Sequence, residues 1–311
     1  MRHMTNLRFI DAVAREKSIR KAAEKMAITS TALNRRILQV EDEIGQPLFE
    51  RLSSGVRLNT AGELFVQHVR NQIADLARVQ SQISDLTGVR RGHVKIAGGA
   101  DVLRFFLPEL VANYRSEHNA VTFELLRQYG DAAEASLLSL DADLAFVFAP
   151  VRTTDFQVIA TARQTVHCLM SASHPLARKD VIRLRDCIDV PAIMPTAKSG
   201  VRQLLDVGQM KRSITMNTII ESDSFEFMQN YLVHENAISF QIPISLEPGI
   251  TSNEATTAHG FVARPFDTDD VPAGILHIGQ LKGRVLPVAA AKFLDNIIHM
   301  LGQRYPDDFD Q

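Results

Sequence analysis

Ser30, Thr31, Asn34, Arg35 and Arg36 set hydroxyl, carboxamide and guanidinium groups within one short stretch. Groups of these kinds, presented together, exchange hydrogen bonds with base edges and neutralise phosphate, which is the chemistry of duplex DNA recognition. Thr29 precedes them with a further hydroxyl. Farther along, Arg51 and Arg57 flank the Ser53-Ser54-Gly55 turn, placed to touch backbone phosphate with Ser54 at the tip. Catalytic spacings are missing by comparison. IAGGAD is not the G-x-G-x-x-G of a dinucleotide site, and neither a G-x-x-x-x-G-K-[ST] loop nor a G-x-S-x-G elbow occurs. The 10 histidines show no H-E-x-x-H or other metal spacing, so the chain is expected to be no enzyme and to need no metal or cofactor.

The elements that must position these groups are legible in the same stretch. Ile19, Ala22, Ala23 and Met26 recur at i, i+3, i+4 and i+7 and predict a first helix with one buried side, N-capped by Ser18. Ala27 and Ile28 carry the chain round, and Thr29 or Ser30 can cap a second helix whose inner stripe is Leu33, Ile37, Val40 and Ile44. Gly45 suits the C′ position that ends it. Upstream, Leu7, Ile10, Val13 and Ala14 supply a supporting helix. Downstream, PLFERLSSGVRLN reads as strand, turn and strand, a small wing. Two short helices across a tight turn form a helix-turn-helix, whose second helix presents its N-terminal residues to the major groove. An ordinary three-helix domain with a solvated face is the plainer reading.

From Leu7 to about Leu86 the sequence resembles the N-terminal region of LysR-type transcriptional regulators. The resemblance is carried by AAEKM, by ALNRRI and VEDEIGQPLFER, and by the L-x-T-A-G turn from Leu58 to Gly62. It extends more weakly over the whole chain. It implies promoter binding at an interrupted palindrome as a homodimer or homotetramer, contact with RNA polymerase, and a small effector bound by the C-terminal part. This chain has Asn34 where the family usually has Ser, Ser30 where it often has Gln, and Ser54 where its wing frequently has Arg. Those departures leave the fold intact and bear on the operator sequence.

Charge is distributed accordingly. Residues 1–90 hold 14 Lys+Arg against 10 Asp+Glu, or +4, and residues 91–311 hold 20 against 26, or −6, which together give the chain's −2. An acidic remainder limits indiscriminate binding to phosphate backbones and argues against a DNA-coating protein. No apolar run approaches the ~18 residues of a membrane span, and no secretory signal opens the chain, so a cytoplasmic setting is expected. Cys168 and Cys187 make no disulfide framework. Cys168, in the apolar TVHCLMS run, is expected to pack in a core, with redox sensing as the alternative.

The expected architecture is mixed: a winged helix-turn-helix over 1–60, a linker and dimerisation helix over 61–90, and a two-lobed α/β effector domain over 91–311. Thr60 and Glu63 have the spacing of a capping box, and Val69, Ile73, Leu76, Ile83 and Leu86 approach a heptad seam that wants a partner helix. GVRRG at 88–92 is a plausible hinge. Beyond it, HVKIAGG, VTFELLRQYG and DLAFVFA alternate with helical LRFFLPELVANYRSEH and AAEASLLSL, a pattern of strands and crossovers that predicts a parallel sheet. TVHCLMS, CIDVPAIMP and AISFQIP supply a second lobe. The lobes are expected over about 91–162 with 267–311, and about 163–266, with HGFVARPF as the return crossing. The PDDFDQ tail is expected to be disordered.

Ligands in such folds sit beyond the carboxyl ends of strands. That places Gly99, Ala100, Asp101 and Val102 at the cleft, with Tyr129 and Asp131 after the second strand and Phe148 at the end of the third. Ser199 in TAKSG, Asp223 and Ser224 are candidates from the second lobe. Where the LysR-type family often has Ser or Thr contacting a carboxylate effector, this chain has Asp101. As a structural residue Asp101 is a good N-cap. As a ligand it favours an amine, an amino acid or a hydroxylated metabolite over a bare anion.

Overall fold

The computed structural model describes residues 2–86, 91–148, 154–248, 250 and 260–311. The chain divides into two compact units, residues 1–88 and 89–311.

In the N-terminal unit, α1 (Arg2–Glu16) is followed by α2 (Ile19–Lys25) and α3 (Ser30–Ile44). Ser18 is extended and its side chain accepts the Lys21 N–H at 3.4 Å, so α2 starts there. Ala27 takes the left-handed conformation, φ 53°, to turn the chain, and Thr29 Oγ1 accepts the Ala32 N–H at 3.2 Å to open α3. Gly45, at φ 77°, closes α3 by donating to Glu41 and Asp42. Ile10, Val13, Ala22, Ala23, Leu33, Ile37 and Val40 bury together, whereas Ile44 is 39% exposed and not part of the inner stripe expected for it.

The hairpin β1 (Phe49–Leu52) and β2 (Gly55–Leu58) is tied to α3 by one carboxylate: Glu41 Oε1 accepts the Leu48 and Phe49 N–H groups at 2.6 and 3.1 Å. The next helix, α4 (Thr60–Leu86), is capped by Asn59 rather than Thr60. Asn59 Oδ1 accepts the Gly62 N–H at 2.8 Å, and the capping box moves out of register because the carboxamide one residue earlier already fills the role. Asp11 of α1 receives Arg15 and Arg70, each at 2.7 Å, joining α4 to α1. Along the expected seam Val69 is fully buried, Ile73 and Leu76 are half-buried, and Ile83 is 57% exposed; the side chain of Leu86 and residues 88–90 of the expected hinge lie outside the described residues.

The C-terminal unit contains two sheets. The first is built from β3 (Gly92–Gly98), then α5 (Ala100–Arg104), α6 (Phe106–Glu117), β4 (Val121–Arg127), α7 (Gly130–Leu138), β5 (Leu144–Phe148) and β6 (Phe156–Gln164). The second holds β7 (His167–Ser171), β8 (Ala192–Pro195), α8 (Gly200–Arg212), β9 (Thr218–Ser222), α9 (Phe225–Tyr231), β10 (Ile238–Gln241) and β11 (Phe261–Pro265). The chain then returns through β12 (Gly274–Leu281), α10 (Val288–Arg304) and β13 (Phe309–Asp310). Strand orders are β13-β6-β12-β5-β3-β4 and β11-β7-β10-β8-β9.

Each sheet is mixed where a parallel one was expected. Strands β4, β3 and β5 run parallel, as do β9, β8 and β10, while β12 and β6, like β7 and β11, pair antiparallel. The antiparallel strands are those through which the chain passes between lobes, so it must enter and leave in opposite senses. HGFVARPF is accordingly not the crossing: Phe261–Pro265 is edge strand β11, and the chain crosses after it.

Two further expectations are corrected. The helix expected over 103–118 breaks at Phe105, because Pro108 tolerates only a first helical turn and its ring would meet the carbonyl of Arg104 in a continuous helix. The C-terminal tail is ordered, with Phe309 and Asp310 pairing with Ala162 and Thr161 of β6. Phe309 packs against the main core, which fixes it.

Replacing Glu41 by Ala leaves two amides without their acceptor. Amide exchange at Leu48 and Phe49 is expected to accelerate at least tenfold, for a local loss of about 1–3 kcal/mol; unchanged protection at both amides would show that the carboxylate does not hold the wing.

Candidate functional site

The exposed side of α3 carries Ser30, Thr31, Arg35 and Arg36, with capping Thr29 at its start. Asn34 is half-buried, and its Oδ1 accepts the Arg51 Nη2–H at 2.8 Å. That bond joins the wing to the helix and leaves the Asn34 amide hydrogens as the groups available to a ligand. Arg57 pairs with Glu50 across the hairpin, the two being register partners, and the carboxylate raises its already high pKa. Ser54 is exposed at the turn. Beside it Gly55 approaches the backbone so closely that a Cβ would collide with Lys17 O, and the Val56 N–H donates to that oxygen at 3.0 Å. Arg51 thus acts on Asn34 and Arg57 on Glu50, partners that sequence spacing did not reveal.

In the C-terminal unit a cavity of about 470 Å³ lies between the lobes. Six of the sequence-predicted residues line it: Gly99, Asp101, Tyr129, Asp131, Phe148 and Ser199. Gly99 admits Tyr129, since a Cβ there would sit 2.8 Å from Tyr129 Cε1. The Tyr129 hydroxyl accepts the Ala100 N–H at 3.2 Å, which leaves its own O–H to donate.

Asp101 is not the N-cap expected. Gly99 holds that position, and Asp101 lies inside the first turn of α5, accepting the Val102 N–H at 3.0 Å. The carboxyl is 6% exposed, and burial pushes it up to about 6 from an ordinary 3.8, opposed only by backbone hydrogen bonds.

The remaining candidates do not line the cavity. Val102 is fully buried in the main core, where Gly98 leaves room for it, and Ala100 packs beside the second lobe's core. Asp223 is exposed beside the cavity, near enough for its charge to act on Tyr129, without lining it. Ser224 caps α9, accepting the Phe227 N–H at 3.2 Å.

Sequence reading missed Gln128, Lys198, Gln203 and Phe225, which line the same cavity. Lys198 and Gln203 are near neighbours of the predicted Ser199. They belong to the TAKSG turn and the following helical turn, the second lobe's counterpart of the glycine-rich turn after β3. Ser199 occupies the N-cap of α8 without a side-chain hydrogen bond to it, so the first amides of that helix have no side-chain acceptor. Their dipole and Lys198 favour an anion on one wall, while Asp101 and Asp131 favour a cation on the other.

Cys168 and Cys187 are fully buried, and the Cys187 thiol lies 3.8 Å from the Arg183 carbonyl oxygen. Burial pushes the Cys168 thiol well up, away from the thiolate that oxidation requires. Among the described residues no cluster suited to a metal ion occurs, and no helix is long and apolar enough to cross a membrane.

Comparison with known proteins places both units. Residues 4–63 match the model for "Bacterial regulatory helix-turn-helix protein, lysR family", and residues 87–302 match "LysR substrate binding domain". The RuBisCO operon transcriptional regulator of Allochromatium vinosum is 30% identical over 203 residues, 65% of this chain and 67% of that protein. A full-length OxyR variant from Pseudomonas aeruginosa superposes with a TM-score of 0.69 at 20% identity, covering 94% of each chain. The effector-binding domain of QuiR in complex with shikimate gives a TM-score of 0.56 at 18% identity over 69% of this chain and 99% of that one.

The raised Asp101 carboxyl sets a pH dependence. The folded state binds this proton more tightly than the unfolded state. Stability is therefore unpenalised below pH 3.8 and falls as pH rises to about 6, by on the order of 3 kcal/mol. Asp101→Asn is expected to melt later than wild type at pH 7.5, by roughly 1–3 kcal/mol, and to lose the decline between pH 4 and 6. A variant no more stable at pH 7.5 would show that the carboxylate has compensation.

Proposed function

The chain belongs to the LysR family of bacterial transcriptional regulators, and we propose that α3 and the wing read promoter DNA while a zwitterionic amino acid in the interlobe cavity sets its activity. It is a DNA-binding regulator with an effector-binding domain, and not an enzyme. The observation that carries the ligand reading is opposite charge on opposite walls: Asp101 and Asp131 from the first lobe, Lys198 and the amino end of α8 from the second. An amine alone leaves Lys198 without an anion, and a bare carboxylate leaves the buried Asp101 without a cation. QuiR's domain, of the same fold, holds a small molecule in its solved complex, which supports a small-molecule effector here.

On the DNA side, Thr29, Ser30, Thr31, Asn34, Arg35 and Arg36 face the duplex from α3, and Arg51, Ser54 and Arg57 from the wing. Arg51 orients Asn34, so the wing supports base reading as well as contacting phosphate. Two copies are joined along α4, whose later turns expose Val79 and Ile83, apolar groups that a partner helix would cover. Such a dimer or tetramer in the cytoplasm holds two recognition helices over the half-sites of an interrupted palindrome and meets RNA polymerase beside them. An amino acid that touches both lobes binds their closed arrangement better than an open one. That difference is what shifts the population.

Two measurements test the reading. Arg35→Ala is expected to weaken operator binding by about 1–3 kcal/mol while leaving nonspecific binding much less affected, as a base contact would; equal loss on both DNAs would make it a phosphate contact. In melting assays of the full chain, an amino acid should stabilise more than the amine or the acid made by deleting one of its charges, and its affinity should fall as pH drops below about 6 and Asp101 takes up its proton. An amine or an acid binding as tightly as the parent amino acid would contradict the zwitterion reading.

A further inference from the structure

A second cavity, about 330 Å³, adjoins the polar one and shares Phe148, Gly200 and Gln203 with it. Its remaining walls include Leu204 of α8 and Ala273, Gly274 and Ile275 at the start of β12. Neither carboxylates, ammonium or guanidinium groups nor hydroxyls line it, and Gln203 and His277 are the polar side chains at its edge. The cavity opens to solvent on the side of Ile275, which is 48% exposed, and its apolar walls suit a bulky hydrocarbon group.

The two cavities meet at the ring of Phe148, and glycines on both lobes permit that. A Cβ on Gly200 would sit 2.8 Å from Phe148 Cδ1, and one on Gly274 would sit 2.7 Å from Phe148 Cε2. The ring is thus a partition held between backbones, with no side chain of either residue behind it. Gly200, Gln203 and Leu204 stand at i, i+3 and i+4, so one face of α8 runs from the charged cavity into the apolar one.

We propose that the ligand is an α-amino acid with a bulky apolar side chain, aliphatic or aromatic, which displaces the Phe148 ring from between Gly200 and Gly274 and fills the chamber lined by Leu204, Ala273 and Ile275. The proposal rests on the reading of the polar cavity as an amino-acid site and adds the third substituent of the ligand. Leu204 comes from one lobe and Ala273 to Ile275 from the other, so apolar surface is buried in the chamber only while the lobes are together. The side chain therefore contributes to closure as well as to selectivity.

Calorimetric titration of the full chain with L-alanine, L-leucine and L-phenylalanine tests this. Leucine or phenylalanine is expected to bind roughly ten- to a hundredfold tighter than alanine, the gain from burying a large apolar side chain. Leu204→Trp, which fills the chamber, should bring the tighter ligand down to the affinity of alanine. Equal affinity of all three for wild type would overturn the chamber proposal and leave the charged site standing. Binding of none of them would overturn both readings. A preference that survives Leu204→Trp intact would place the side chain elsewhere and overturn the chamber alone.

Discussion

A carboxylate held largely out of water, hydrogen-bonded to backbone amides and paired with no cationic side chain, is the constraint around which the C-terminal unit is organised. Asp101 has no cationic side chain among the causes that set its proton affinity, and burial dominates them. Such a group destabilises the fold unless a cation arrives. The fold tolerates it against a large apolar core and paired charges elsewhere. The core running through both lobes carries Phe106, Phe146, Phe240 and Phe266, and buried Asp143 has Arg284 at 2.7 Å as well as the Lys95 amide. Strand order fixes where the unsatisfied charge stands. It follows β3, flanked by β4 and β5, so it faces the open end of the parallel strands, where a ligand can reach it.

In the N-terminal unit, by contrast, the helix caps and several charges find partners within the unit. Thr29 spends its hydroxyl on Ala32, Glu41 fixes the wing, and Asp11 binds two arginines. Ser30, Thr31, Arg35 and Arg36, exposed like other polar residues of the unit, stand on a helix whose position is over-determined. Recognition by direct readout requires that rigidity, because a donor displaced by an ångström loses its bidentate partner.

Local signals were legible in the sequence, and long-range ones were not. The caps at Ser18, Thr29 and Gly45 and the buried positions Ile10, Ala22, Leu33 and Ile37 follow from spacing alone, since each is decided within a few residues. So does the placing of Gly99, Asp101 and Tyr129 at strand ends. Antiparallel β12 and β6, the pairing of tail residues Phe309 and Asp310 with β6, and the Arg51–Asn34 bond join segments far apart in the chain, and no local pattern encodes them. Asp101 shows the boundary. Its residue type announced a cap, and Gly99 took that role because the turn needed a residue that admits Tyr129. Lys198 escaped because it gains meaning only opposite Asp101, which stands on the other lobe and far back along the chain.

Occupancy of the cleft is coupled to reading of DNA in the mechanism proposed above. Linkage makes the claim quantitative: if the amino acid changes operator affinity by some factor, operator must change amino-acid affinity by the same factor. The direct measurement is calorimetric titration of the full chain with the amino acid, free and saturated with operator, beside operator titrations with and without the amino acid. Equal factors, different from one, are expected, and both should return to one in Asp101→Asn. Amino-acid binding that is identical on free and operator-bound protein would contradict it.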